Sequence, residues 1–275
     1  MFSTFFSGVA GAAVSGVRDT PPADSLELPA ALNSTKCGDL LATRSGFISY
    51  KYNENEKYNN NERCIWTIRT HKWETKFLLH DSNFHSEKDR LLIYAVDENG
   101  EMQVKAKIDS GTGRDFVGIL GPLLFVAFTS DESGVGGGFE LEFFGFGYNE
   151  ATGYAYGHGH LDSASGDLVW PEKPIEFYMN TLATFTLSPE LPDSRFQLTV
   201  ETVDLVSNLR SCQNNFLTVH QLFEEGLVLR LRYCEPDLLS SAQISSSAPL
   251  LIVYRAAVGP NNVGIDFSWR KESKN

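Results

Sequence analysis

The chain has 275 residues, 42% hydrophobic and 12% aromatic, enough for one large domain or two of ordinary size with buried cores. With 23 basic against 35 acidic residues, its formal charge is −12. That charge argues against nucleic acid or an anionic membrane as partner and suits a cation-binding or extracellular protein, and no apolar run approaches the roughly 20 residues that span a bilayer.

The first 17 residues, MFSTFFSGVAGAAVSGV, are small and apolar. Ala13 and Ser15 suit the flanks of a signal-peptide cleavage site, but the basic start of such a peptide is missing. The stretch up to about Leu32 is unpatterned and reads as a linker, so residues 1–32 are expected outside the folded part. Asn33-Ser34-Thr35 is a glycosylation acceptor, meaningful in a secreted chain.

Strand signals dominate the rest of the chain. In the first half they fall at Cys64–Arg69, Lys76–His80, Leu91–Ala95, Leu123–Phe128 and Phe139–Phe144. In the second half they fall at Thr184–Leu187, Phe196–Val200, Phe216–Val219, Leu227–Arg232, Leu250–Tyr254 and Ile265–Trp269. Short strands between Gly, Pro and Asn turns, without a long amphipathic helix, predict an all-β fold of antiparallel β-sandwiches. The stretch FTSDESGVGGGFELEFFGFG at 128–147 places a glycine run between two period-two segments, and reads as the hairpin joining the last two strands of a first sandwich. No helix pattern follows the glycines and no Lys-Ser or Lys-Thr closes them, which argues against a phosphate cradle.

The halves echo one another. Leu123-Leu124-Phe125-Val126 is repeated as Leu250-Leu251-Ile252-Val253, and Gly138–Phe143 as Gly264–Trp269. Upstream, Asp89–Tyr94 lines up with Asn215–His220. Three blocks in one order at nearly equal spacing point to two copies of one domain. Between them, a Gly/Tyr/His-rich segment reads as a linker over 147–164, leaving domains at 37–146 and 165–271. Four cysteines, at 37, 64, 212 and 234, allow three connectivities; the large central gap favours the local pairs Cys37–Cys64 and Cys212–Cys234. Each pair would close a loop worth roughly 3 kcal/mol, and an even count beside a glycosylation site points to an oxidising compartment.

At this point the chain resembles the CUB domain family. In the first half the resemblance runs through Cys37-Gly38, Gly46-Phe47-Ile48-Ser49, Tyr58 to Ile68 including Cys64 and Trp66, Asp89–Tyr94, Phe128–Ser133 and Gly138–Phe143. In the second it runs through Phe196–Glu201, Val203-Asp204-Leu205, Cys212–Val219 and Arg232-Tyr233-Cys234. Each half resembles the family around a different one of its two disulfides, Cys37–Cys64 in the first copy and Cys212–Cys234 in the second. The resemblance implies a jelly-roll-like sandwich, placement outside the cell, and a non-catalytic binding role.

It also implies a calcium site in the first copy. Asp89 and Asp131 match the family's two aspartates, Ser133 its turn serine, and Glu87 is the best available glutamate, with Asp81 as a substitute. Converging loop carboxylates suit an ion that takes six to eight oxygens. The plainer reading is that these acids solvate a loop end and cap turns. The second copy has Asn215 and Val258 at the equivalent positions, so no ion is expected there.

Other chemistry is weak. His158 and His160 read as exposed spacer in the linker rather than as metal ligands, and His71, His80, His85 and His220 form no ligand motif. Tyr58, Trp66, Trp170 and Trp269 read as core or edge packing rather than a sugar platform. No nucleophile motif and no acid–base pair stands out, so an enzyme is not expected. The sequence thus predicts a secreted binding protein whose partner is an extracellular protein presenting a basic residue. The alternatives are a carbohydrate-binding module and a non-catalytic fragment of a larger protease or receptor.

Overall fold

The computed structural model describes residues 18–19, 31–53, 55–110, 112, 116–121, 123–149, 154–171, 180–188, 194–205, 212–234, 241–256 and 264–272. Residues 1–17, which carry the signal-like segment, lie outside the described residues. In chain order the strands are β1 (Arg18–Asp19), β2 (Leu32–Ser34), β3 (Asp39–Ala42), β4 (Ser45–Tyr50), β5 (Arg63–Arg69), β6 (Lys72–Asn83) and β7 (Arg90–Val96). Then come β8 (Met102–Ile108), β9 (Phe116–Leu120), β10 (Leu124–Thr129), β11 (Gly138–Asn149), β12 (Tyr154–Leu161), β13 (Ser165–Trp170) and β14 (Asn180–Leu187). The chain closes with β15 (Arg195–Asp204), β16 (Phe216–Phe223), β17 (Gly226–Tyr233), β18 (Ala242–Ser246), β19 (Leu250–Ala256) and β20 (Gly264–Glu272). Among the described residues there is no helix, so the all-β class expected from the sequence holds.

Two sandwiches result. The first stacks the sheet β3-β5-β10-β7-β8 on β2-β4-β11-β6-β9; the second stacks β1-β12-β14-β19-β16-β17 on β13-β20-β15-β18. Setting β1 and β2 aside, the strand orders correspond one for one. The single parallel pairs correspond too, β3 with β5 and β12 with β14. Even the bulges coincide. In β7·β8 the register slips after the third pair, between Ile93 and Tyr94, and β16·β17 slips after its third pair, between Val219 and His220. In β6·β11 the first of two slips leaves His80 unmatched, and in β15·β20 the single slip leaves Glu201 unmatched. Bulges are built features that re-aim a strand, so their shared positions are strong structural support for the echo read from the sequence.

Each sandwich has its own core. Trp66, Phe128 and Phe139 interlock in the first with edge-on and tilted ring contacts, and Phe185, Phe267 and Trp269 do so in the second. A third apolar cluster lies between the sandwiches. There Ile65, Leu92, Tyr94, Phe125 and Ala127 of the first meet Tyr156, Leu182, Phe216, Leu222, Leu251 and Val253 of the second. The two central sheets are therefore covered on both faces. That explains why β10 (LFVAFT) and most of β16 (FLTVHQLF) are buried at consecutive residues instead of alternate ones.

Three sequence expectations change. Within the leading segment, Arg18 and Asp19 pair with His158 and Gly157 of β12, and Leu32 pairs with Gly46 of β4, so parts of 1–32 belong to the fold. The glycine run at 134–138 does not close a hairpin, because β10 pairs with β5 and β7 while β11 pairs with β4 and β6. It carries the chain from one sheet to the other. Gly138, at φ +80°, sits where a Cβ would collide with the Tyr50 carbonyl oxygen, so the glycines serve close backbone approach across the sandwich edge. The segment at 147–164 also differs from a plain linker. Residues 154–161 form β12, with Gly157 and Gly159 packed under Trp170 and Phe185, and His158 is buried instead of exposed.

Candidate functional site

Two of the predicted acids, Asp89 and Asp131, meet at one end of the first sandwich, where the turn before β7 joins the segment after β10. Asp89 ends a tight turn: its amide donates to the Ser86 carbonyl oxygen at 3.2 Å. Its carboxylate is fully buried. Oδ1 accepts the Asp131 amide at 2.9 Å, while Oδ2 accepts the Tyr58 hydroxyl at 2.6 Å and the Ser86 amide at 3.3 Å. The tyrosine is held in turn, because its oxygen accepts the His85 amide at 2.7 Å.

Asp131 is likewise buried. Its Oδ1 accepts the Ser133 amide at 2.8 Å and the Ser133 hydroxyl at 3.3 Å, and its Oδ2 accepts the Ser86 hydroxyl at 3.1 Å. The Ser133 amide, aided by the Ser86 and Ser133 hydroxyls and the nearby Lys88, holds the Asp131 carboxyl below the usual carboxylate range despite its burial. The Tyr58 hydroxyl is pushed the other way, up, by burial and by its bond to Asp89. The surrounding loop is tied in as well: the Asn61 amide donates to the Asp131 carbonyl oxygen at 2.7 Å, and the Tyr58 amide to that of Gly136 at 3.3 Å.

Two buried carboxylates thus stand side by side. Among the described residues neither forms a salt bridge. Asp89 Oδ1 and Asp131 Oδ2 each accept one bond, so each keeps a lone pair, and the Ser133 hydroxyl oxygen lies beside them. This donor set fits a hard cation as far as it goes. Glu87 and Asp81 are exposed, and Asp81 accepts the Tyr52 hydroxyl at 3.3 Å. Among the described residues no third acid or histidine joins Asp89 and Asp131 within 4.8 Å; the one such grouping is Cys37, Glu62 and Cys64. Its two sulfurs are spent in a disulfide. Sequence reasoning missed Tyr58 and Ser86 as members of this corner. Its signal for Tyr58 was an aromatic closing an Asn-rich loop ahead of Cys64, which reads equally well as core.

The second sandwich has the same turn with different chemistry. Asn215 takes the place of Asp89, fully buried, its amide donating to the Cys212 carbonyl oxygen at 3.3 Å. Val258 lies outside the described residues. Both disulfides form as the local pairing expects, Cys37–Cys64 and Cys212–Cys234. Asn33 is exposed on β2, accessible to a glycan. Tyr58, Trp66, Trp170 and Trp269 are buried.

Comparison with known proteins bears on residues 37–143, which match the family model described as CUB domain. Cubilin from Canis lupus familiaris is 26% identical over 203 residues, covering 72% of this chain; the chain spans 5% of cubilin's length. Among solved structures, the CUB1-EGF-CUB2 domains of rat MASP-1 are 15% identical at a TM-score of 0.34, covering 85% of this chain and 99% of that one. The full extracellular region of zebrafish Gpr126/Adgrg6 is 12% identical at a TM-score of 0.32, covering 87% of this chain and 34% of that one. The residues that match the CUB domain model lie in the first sandwich, which holds the Cys37–Cys64 disulfide and brings Asp89 and Asp131 to one corner.

Proposed function

We propose that this chain is an extracellular, non-catalytic protein-binding module, with the second sandwich a divergent copy of the first. The observation that carries the reading is the buried pair Asp89 and Asp131, held by Tyr58, Ser86 and Ser133, with no cationic side chain bonded to it among the described residues. Buried like charges favour a cation between or beside them. Asp89, Asp131 and Ser133 would hold calcium, with the exposed Glu87, two residues before Asp89, as a further acid. Bound there, the ion would neutralise the pair and fix the loops at 84–89 and 131–137.

The partner in this reading is an extracellular protein presenting a Lys or Arg, drawn by the acidic surface and pairing with the corner's outer acids in a partly desolvated contact. The carbohydrate alternative would have to rest on exposed rings such as Trp73 and Tyr52, since Trp66, Trp170 and Trp269 are buried and cannot stack on a sugar. Thermal unfolding of the full chain with and without millimolar calcium, alongside Asp131→Ala, tests the site. Stabilisation by calcium that the variant loses supports it; equal melting with and without calcium removes the ion from the reading.

A further inference from the structure

The seam between the sandwiches holds two histidines that the binding reading leaves unused. His220 lies on β16 and shares the face of Phe216 and Leu222, which belong to the seam cluster, while Leu217 and Val219 point into the second core. It is 1% exposed, and among the described residues neither ring nitrogen has a hydrogen-bond partner. His158 lies on β12 beside Tyr156, also of the seam cluster, with 1% exposure. Its Nδ1 bonds the Thr184 hydroxyl at 2.9 Å, and its Nε2 has no partner among the described residues. A buried polar atom without a partner calls for an explanation, and an imidazole kept neutral in a dry contact supplies one that depends on pH.

We propose that the seam is an acid-sensitive clasp: protonation of His220 and His158 places charge between the two central sheets and parts the sandwiches.

The groups around each histidine support this. His220 pairs across the ladder with Leu251 on β19 and Leu229 on β17, both apolar. The first sandwich offers Leu92 and Tyr94 from β7 and Phe125 and Ala127 from β10 on the opposing face, and the Tyr94 hydroxyl accepts the Leu227 amide at 3.0 Å. The charged groups at that end are the Arg90–Glu225 pair at 3.5 Å, with Arg63 and Glu224 nearby. None of these acts on His220, whose proton affinity burial alone pushes down to about 4. Around His158 the charged neighbours are Arg69, set over the Tyr156 ring at 3.2 Å, and His71. His160, two residues on, feels Asp162, Asp39 and Lys36. Burial first, then Arg69 and His71, push His158 down to about 3. Among the described residues no carboxylate bonds either ring.

The sign follows from the lowered affinity. Both histidines favour the docked form fully above the unperturbed value near 6.5, and this contribution is lost as pH falls from there toward 4. Each protonation weakens docking about tenfold per pH unit in that window, roughly 30-fold per histidine at pH 5. The full chain at pH 7.4 and pH 5.0 is compared by small-angle scattering and by hydrogen exchange. The expected result is a larger radius and faster exchange in β10, β14 and β16 at pH 5.0, with both cores still protected. In His158→Gln/His220→Leu the seam should stay closed at pH 5.0. Unchanged scattering of the wild-type chain between the two pH values overturns the proposal, and so does opening of the double variant at the wild-type pH. The scattering of the unmodified chain decides the matter even where the double variant does not fold.

Discussion

The two sandwiches share strand order, parallel pair and bulge positions, yet their equivalent corners differ in charge. At one, Asp89 and Asp131 are buried anions in a net of donors; at the other, Asn215 fills the same turn as a neutral amide. What the two sandwiches share is backbone architecture, set by apolar alternation and register slips. What differs is a turn residue that no strand depends on. The fold is therefore a scaffold whose corner chemistry can change without disturbing the cores, the usual relation between a common fold and a site placed on it.

The largest test removes equivalent core residues. Leu141 and Phe267 sit at the same step of the β6·β11 and β15·β20 ladders, next to the bulge, and both are fully buried or nearly so. Leu141→Ala and Phe267→Ala should each cost about 3–5 kcal/mol. Because the seam cluster draws on both sandwiches, calorimetry should show either variant lowering one common transition. Two separate transitions, with only the mutated sandwich affected, would show that the sandwiches fold independently.

The disulfides give the next effect. Removing Cys37–Cys64 or Cys212–Cys234 as a serine pair should cost about 2–4 kcal/mol in the loop-closure account. The first should cost more, since Cys64 is fully buried in the core cluster while Cys212 and Cys234 are half-buried. Chemical denaturation of the two serine-pair variants checks the order.

Much of this was legible in the sequence. The strand segments, the local cysteine pairs and the two aspartates were all visible, because alternation, spacing and motif are local properties. Pairing was less visible. The segment FELEF shows that β11 is half-buried but cannot say which strand lies beside it, so the glycine run at 134–138 looked like a hairpin although it changes sheets. The seam had a signal that local reading passes over. LLFVAF and LLIVY are apolar at consecutive positions, where a strand with one wet face alternates, and that continuity records a second covered face. His158 was misjudged for the same reason: its Gly-rich surroundings suggested a spacer, whereas the glycines admit Trp170 and Phe185 against β12. Tyr58 and Ser86 were invisible as site members because their role depends on contacts 31 and 45 residues away in the chain.

A smaller effect comes from making the corners alike. Asp89→Asn gives the first corner the amide of the second. It confronts the Asp131 amide, the Ser86 amide and the Tyr58 hydroxyl with a group that is half donor, and should cost about 2 kcal/mol. Any calcium stabilisation should vanish with it. The pH dependence separates this corner from the seam. The Asp131 carboxyl is held below its unfolded value near 3.9, so its contribution is intact above that pH and is lost only as pH falls below about 4. Seam opening, by contrast, belongs to the window between about 6.5 and 4. Exchange measured segment by segment down the pH scale should therefore show β16 loosening before the turn at 84–89; the reverse order would contradict the assignment of either group.

The smallest effect tests whether Tyr58 belongs to the corner or only to the core. Its ring packs edge-on against Phe128 at 5.1 Å, a contact that phenylalanine preserves. Tyr58→Phe therefore removes only the hydroxyl, leaving the His85 amide and Asp89 Oδ2 each one partner short. The expected loss is about 1–2 kcal/mol, which Phe128→Ala would exceed severalfold. The informative readout is the calcium response. Without the hydroxyl, Asp89 Oδ2 keeps only the long Ser86 bond and gains freedom to meet an ion, so calcium should recover part of the lost stability in this variant. If calcium stabilises the wild type and Tyr58→Phe by the same amount, the hydroxyl does not compete for that oxygen, and Tyr58 is core packing alone.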